Sequence, residues 1–137
     1  MKTSTVELAC IIDDDSVYVN LVKKIIETKK LCENLLVFSD GKQSIEYFEA
    51  ILQNLEAEQI PEIIFLDLNM PVMDGWEFLE RFTKIKNKLD KAITLYVVSS
   101  SINPLDINRA KSLSSVEDYL IKPVNISELE SIFTKTA

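Results

Sequence analysis

Four places in the sequence set polar groups directly after short apolar runs. Asp13, Asp14 and Asp15 follow VELACII, and Asp67 follows EIIFL with Asn69 two positions on. Ser99, Ser100 and Ser101 follow AITLYVV, and Lys122 and Pro123 follow VEDYLI. Three adjacent acids repel one another, so a positive charge has to sit among them. Several carboxylates gathered at one edge, with backbone or side-chain oxygens beside them, make a site for a hard divalent cation. Lys122 adds a second, mobile positive charge, and a serine hydroxyl can donate a hydrogen bond. One carboxylate is then free to attack a phosphoryl group, with metal and lysine stabilising the charge on its oxygens.

Each piece has a plainer meaning on its own. Acids after a strand serve as a helix N-cap and as first-turn charge. Asp67 can be a cap or turn residue, the serines a solvated loop, and Lys122 a surface lysine. Lys–Pro differs, because proline fixes the backbone after the strand and restricts the residue before it. The reading rests on the conjunction at four strand ends. Whether Ser99 or Ser100 supplies the hydroxyl stays open.

The frame that must bring these ends together is an alternation of two textures. Runs rich in Val and Ile at 6–12, 34–38, 62–66, 92–98 and 116–121 read as strands. Between them, residues 16–30, 41–57, 75–88, 105–113 and 126–134 carry apolar residues at helical spacing. In the first of these, Tyr18, Leu21, Val22, Ile25 and Ile26 form the stripe. Five strand–helix units of this kind imply an α/β fold with a parallel sheet covered on both faces. Ligands of such sheets sit beyond the carboxyl ends of the strands. The two glycines, Gly41 and Gly75, belong to no GxGxxG or GxxxxGK[ST] pattern, which excludes nucleotide cradling by either loop.

Composition narrows the classes further. The chain of 137 residues suits one domain, with 47% hydrophobic and 27% charged residues. Fifteen basic against twenty-two acidic residues leave a net charge of −7, which argues against general nucleic-acid or anionic-membrane binding. The absence of histidine excludes Ser/His and Cys/His catalysis and His-ligated zinc. Cys10 lies in the first apolar run and Cys32 in a loop; both read as free thiols in a reducing cytosol. No signal peptide and no apolar window of about 20 residues is present, so a cytoplasmic location is expected.

IIDDDS, IIFLDLNMPVMDGWEFL, LYVVSSS and DYLIKP together resemble the receiver domain of two-component response regulators, of the stand-alone, chemotaxis-regulator type. The resemblance runs from about Glu7 to Phe133, and LDLNMPVMDGWEFL is its most specific part. It implies a flavodoxin-like three-layer sandwich with five parallel strands in order 2-1-3-4-5 and five helices, one domain over 1–137. It implies that Asp67 is the phosphoacceptor, that Asp14 binds Mg²⁺ directly and Asp13 mainly through water, and that Asn69 gives its backbone carbonyl to the metal. Ser99 stands at the hydroxyl position that turns toward the phosphoryl group, Lys122 at the lysine that contacts it, and Tyr119 at the aromatic switch. Pro123 is expected after a cis peptide, and Pro71 and Gly75 shape the loop after Asp67. The span from Ser99 to Lys122 is one residue longer than usual.

The resemblance implies a partner histidine, on a sensor histidine kinase or a histidine phosphotransfer protein, as phosphoryl donor. It implies a protein target, no direct nucleic-acid or membrane contact, and leaves a homodimer on phosphorylation open. No output module is expected on this chain. Two rivals stand beside it. One is an interaction module that is no longer phosphorylated. The other is a phosphatase with an aspartyl intermediate, which usually needs an acid where this chain has Asn69.

Overall fold

The computed structural model describes residues 6–54, 60–70, 73–89 and 92–136. Ten elements alternate: β1 (Val6–Ile12), α1 (Ser16–Lys29), β2 (Cys32–Phe38), α2 (Gly41–Asn54), β3 (Ile63–Leu66), α3 (Gly75–Lys86), β4 (Thr94–Ser99), α4 (Pro104–Lys111), β5 (Asp118–Ile121) and α5 (Ile126–Thr136). All strands run parallel in one sheet of order β2-β1-β3-β4-β5. This is the flavodoxin-like arrangement expected from the sequence.

Strand parity explains the two layers. Successive side chains of a strand point to opposite faces. Cys10, Ile12, Ile64, Leu66, Leu95 and Val97 therefore join one buried cluster, with Ile45, Phe48, Phe78, Phe82 and Ala110 of α2, α3 and α4. Ala9, Ile11, Ile63, Phe65, Tyr96 and Val98 join the other, with Val19, Val22 and Ile26 of α1 and Leu129, Ile132 and Phe133 of α5. Phe78 and Phe82 stack at 5.3 Å between centroids and Phe48 meets Phe82 at 5.2 Å, so three rings fill the first layer. Truncating any of them to Ala costs about 3–5 kcal/mol.

Helix ends follow their capping residues. Asp15, Asp74 and Asn103 accept backbone N–H bonds at the starts of α1, α3 and α4, and Asp40 accepts from Gln43 at 2.8 Å at the start of α2. α4 opens on Pro104, one residue before the expected 105, and ends at Lys111 rather than at 113, closed by the Ser112 N–H on the Asn108 carbonyl. α1 ends on Lys30 in the left-handed region, φ 54°.

Cys32 does not lie in a loop. It opens β2, paired with Val6, because the left-handed Lys30 stops the helix abruptly and the chain is extended again two residues later. β4 starts at Thr94 and reaches Ser99, and β5 starts at Asp118, so the apolar runs at 92–98 and 116–121 are each shifted by up to two residues. Among the described residues no helix is long and apolar enough to cross a membrane.

Candidate functional site

β1 and β3 are neighbours in register, Ile12 beside Leu66, so the residues that follow them emerge side by side. The Asp13 N–H still bonds the Phe38 carbonyl at 3.0 Å and the Asp67 N–H the Ile12 carbonyl at 2.9 Å. Both carboxylates are thereby held by the last rungs of the sheet. By parity Asp13 extends the row of Ala9 and Ile11, Asp67 that of Ile63 and Phe65, and Lys122 that of Leu120, all on the α1/α5 face. Ser99 extends the row of Leu95 and Val97 on the opposite face.

The three consecutive acids take three separate places. Asp13 is buried, and its Oδ1 accepts the Asp15 N–H at 2.9 Å. Asp14 is exposed at the rim. Asp15 caps α1, accepting the Tyr18 N–H at 3.1 Å, so the plain capping explanation holds for this acid. Carboxylate oxygens of Asp13, Asp14 and Asp67 lie within 4.8 Å of one another. Lys122 Nζ sits 2.9 Å from Asp13 and 3.8 Å from Asp67. Its backbone N–H bonds the Ser99 carbonyl at 2.9 Å, and the Lys122–Pro123 peptide is cis.

One lysine does not balance this charge. Burial pushes the Asp67 carboxyl up from 3.8 to about 6, aided by the neighbouring Asp13 and opposed by Lys122 and the Asn69 N–H. Burial also raises Asp13, although Lys122 and the Asp15 N–H favour its ionised form. Three carboxylates against one ammonium, all-oxygen donors and two of the acids out of water form a set that fits a hard divalent cation. The described contact of Asn69 is its N–H, 3.5 Å from Asp67 Oδ1.

The serines separate equally clearly. Ser99 is fully buried as the last residue of β4, whereas Ser100 is exposed. Ser99 Oγ accepts the Ser101 N–H at 3.1 Å, and Ser101 Oγ donates to Asp106 of α4 at 2.8 Å. Tyr119 is buried with its hydroxyl donating to the Ser101 carbonyl at 2.9 Å. A chain of hydrogen bonds thus links Ser99, the β4–α4 loop, α4 and Tyr119.

Both glycines serve the loop between Asp67 and α3. A Cβ on Gly75 would lie 2.5 Å from the Asp67 carbonyl oxygen, and one on Gly41 would lie 2.7 Å from the Met73 carbonyl oxygen. The Gly75 N–H bonds the Leu68 carbonyl at 2.9 Å. Pro71 lies outside the described residues. Trp76 is half-buried under the Arg109 guanidinium of α4, 4.0 Å from the ring centroid.

Tyr18 enters the site unannounced by its place in the α1 stripe. Lys122 Nζ stands 4.7 Å from its ring centroid. Burial first, then Asp13, push its hydroxyl up to about 12, while the Val124 N–H opposes the shift. The signal that could have found it is its position three residues after the capping Asp15, in the turn that faces the acids.

The family model described as the response regulator receiver domain matches residues 9–134. The response regulator Rcp1 of Synechocystis is 29% identical over 120 residues, covering 87% of this chain and 78% of that protein. The crystal structure of a two-component response regulator from Cytophaga hutchinsonii superposes with a TM-score of 0.81 at 26% identity, covering 97% and 98% of the two chains. The receiver domain of a Pseudomonas aeruginosa sensor histidine kinase, solved with magnesium coordinated in its active-site cleft, shares the fold with a TM-score of 0.74 at 17% identity, covering 96% and 98%. Matched in sequence over nearly its whole length, the chain belongs to the response regulator receiver domain family of two-component systems.

Proposed function

We propose that this receiver domain is a Mg²⁺-dependent switch phosphorylated on Asp67. The observation that carries the reading is the pair of buried carboxylates, Asp13 and Asp67, sharing the single ammonium of Lys122 with Asp14 at the rim. Asp13, Asp14, Asp67 and the Asn69 carbonyl would hold the cation. Bound there, Mg²⁺ supplies positive charge beside the carboxylates and the transferred phosphoryl oxygens.

The nucleophile is a carboxylate oxygen of Asp67. It bonds to phosphorus as the P–N bond to a phosphohistidine breaks, and the electron pair returns to the imidazole nitrogen. These 137 residues contain no histidine, so that donor lies outside them, on a sensor histidine kinase or a histidine phosphotransfer protein. Lys122 shifts from shared carboxylates to a phosphoryl oxygen. Ser99 gives up the Ser101 N–H and turns its hydroxyl to another oxygen. Ser101, Asp106 and Tyr119 are bonded in series to that point, so the β4–α4 surface changes with it. The changed surface regulates a protein partner in the cytoplasm. With Asn69 where a phosphatase would place a general acid, the domain promotes only its own phosphorylation and dephosphorylation.

Intact-protein mass after incubation with acetyl phosphate tests the reading. A Mg²⁺-dependent gain of one phosphoryl group in the wild type, lost in Asp67→Asn, supports it. No gain in a folded wild type would favour a module that binds partners without phosphorylation.

A further inference from the structure

Among the described residues the Lys122 ammonium meets two kinds of neighbour. One is the pair of carboxylates of Asp13 and Asp67 at 2.9 and 3.8 Å, and the other is the face of the Tyr18 ring at 4.7 Å from its centroid. In the proposed reaction both carboxylates are claimed, by the metal or by the phosphoryl group. An ammonium left beside a dication is repelled and moves toward water unless something else holds it. An aromatic face attracts an ammonium through its quadrupole and presents no lone pair to compete for the metal.

Tyr18 is built to be such a seat. Its backbone N–H is tied to Asp15 at 3.1 Å in the first turn of α1, and its partly buried ring packs against the α1/α5 core. The Val124 N–H, two residues after Lys122, faces its hydroxyl. Side-chain parity also places Lys122 on the face of the sheet that α1 covers.

We propose that Tyr18 is a positioning residue for Lys122, its ring face holding the ammonium within reach of Asp67 when metal and phosphoryl group take over the carboxylates. The inference rests on the reading of Asp67 as phosphoacceptor. The requirement is for the ring, not for the hydroxyl.

The test is the rate of Asp67 phosphorylation by acetyl phosphate at saturating Mg²⁺. Tyr18→Leu slows it about three- to tenfold and Tyr18→Phe restores it to within about twofold of wild type. Tyr18→Met replaces Tyr18→Leu should the latter be unfolded at the assay temperature. Mg²⁺ affinity stays within about twofold of wild type, and Tyr18→Leu adds nothing in a Lys122→Met background, because the two residues act as one unit. A wild-type rate in Tyr18→Leu overturns the assignment. So does a Phe variant as slow as Leu, or a Leu effect that persists without Lys122. A wild type that takes no phosphoryl group overturns the Asp67 reading and this one together; normal phosphorylation with no Tyr18 effect overturns this one alone.

Discussion

The two ends of the sheet both carry acids, and they treat them differently. At the carboxyl end Asp13 and Asp67 are buried to 4% and 5% exposure, within 4.8 Å of each other and of Asp14. At the opposite end Glu62 and Glu117 line an open cleft of about 500 Å³ with Lys135, while the exposed Asp118 meets Lys111 at 3.7 Å. That cleft lies away from the buried carboxylates, so an open cleft and buried charge are found at different ends of the sheet. Water screens the acids of the open end. At the other end burial has removed that screening, so repulsion between Asp13 and Asp67 persists and a proton, a lysine or a metal has to answer it.

Removing the shared cation widens this contrast the most. Lys122→Met leaves two buried carboxylates unpaired and is expected to cost about 3–5 kcal/mol at pH 7 in urea unfolding without metal. The loss should shrink at pH 5, where a proton replaces the ammonium on Asp67, whose carboxyl is raised to about 6. Lys111→Met, which strips the exposed Asp118 of its partner, should change stability by less than about 0.5 kcal/mol.

Next comes Gly75→Ala. Its Cβ meets only backbone, 2.5 Å from the Asp67 carbonyl oxygen and 2.7 Å from Leu68 Cα, so relief requires moving the loop that carries Asp67. We expect a loss of about 1–3 kcal/mol together with slower phosphorylation. Normal phosphorylation kinetics in this variant would show that the loop tolerates displacement.

Neutralising Asp67 should act in the opposite direction. Its folded carboxyl is raised from 3.8 to about 6, so the stability linked to its proton is present below pH 4 and lost as pH rises through 6. Asp67→Asn should therefore stabilise the metal-free protein at pH 7 by about 1–3 kcal/mol, an advantage that fades toward pH 4. Glu117→Gln, a change of an exposed side chain at the open end, should alter stability at pH 7 by less than about 0.5 kcal/mol. Equal gains at pH 7 in the two variants would erase the distinction between the ends.

The smallest effect concerns the backbone where α1 turns into β2. Lys30 adopts φ 54°, where a side chain costs roughly 1 kcal/mol relative to glycine. Lys30→Gly should raise the melting temperature slightly and leave phosphorylation unaltered.

The fold was legible because strands covered on both faces are apolar along most of their length, β3 throughout and β1, β4 and β5 except near their ends. β2 is the exception that blurred its own boundary. As an edge strand it exposes Glu33 and Asn34, so Cys32 looked like loop. The buried acids and Lys122 were legible as polar groups ending apolar runs. Their division of labour was not, since three identical side chains in a row differ only in which way the backbone turns after Ile12. Ser99 and Ser100 were equivalent by type, and the point where β4 stops separates them. Tyr18 was hidden because one ring can satisfy a helical stripe and a cation at once.

The central claim concerns one carboxylate, and chemical trapping addresses it directly. An aspartyl phosphate is reduced by borohydride to homoserine, which peptide sequencing locates. After treatment with acetyl phosphate and Mg²⁺, the account predicts homoserine at position 67 alone, and none without Mg²⁺. Homoserine at position 13 or 14, or at position 67 irrespective of metal, would contradict it.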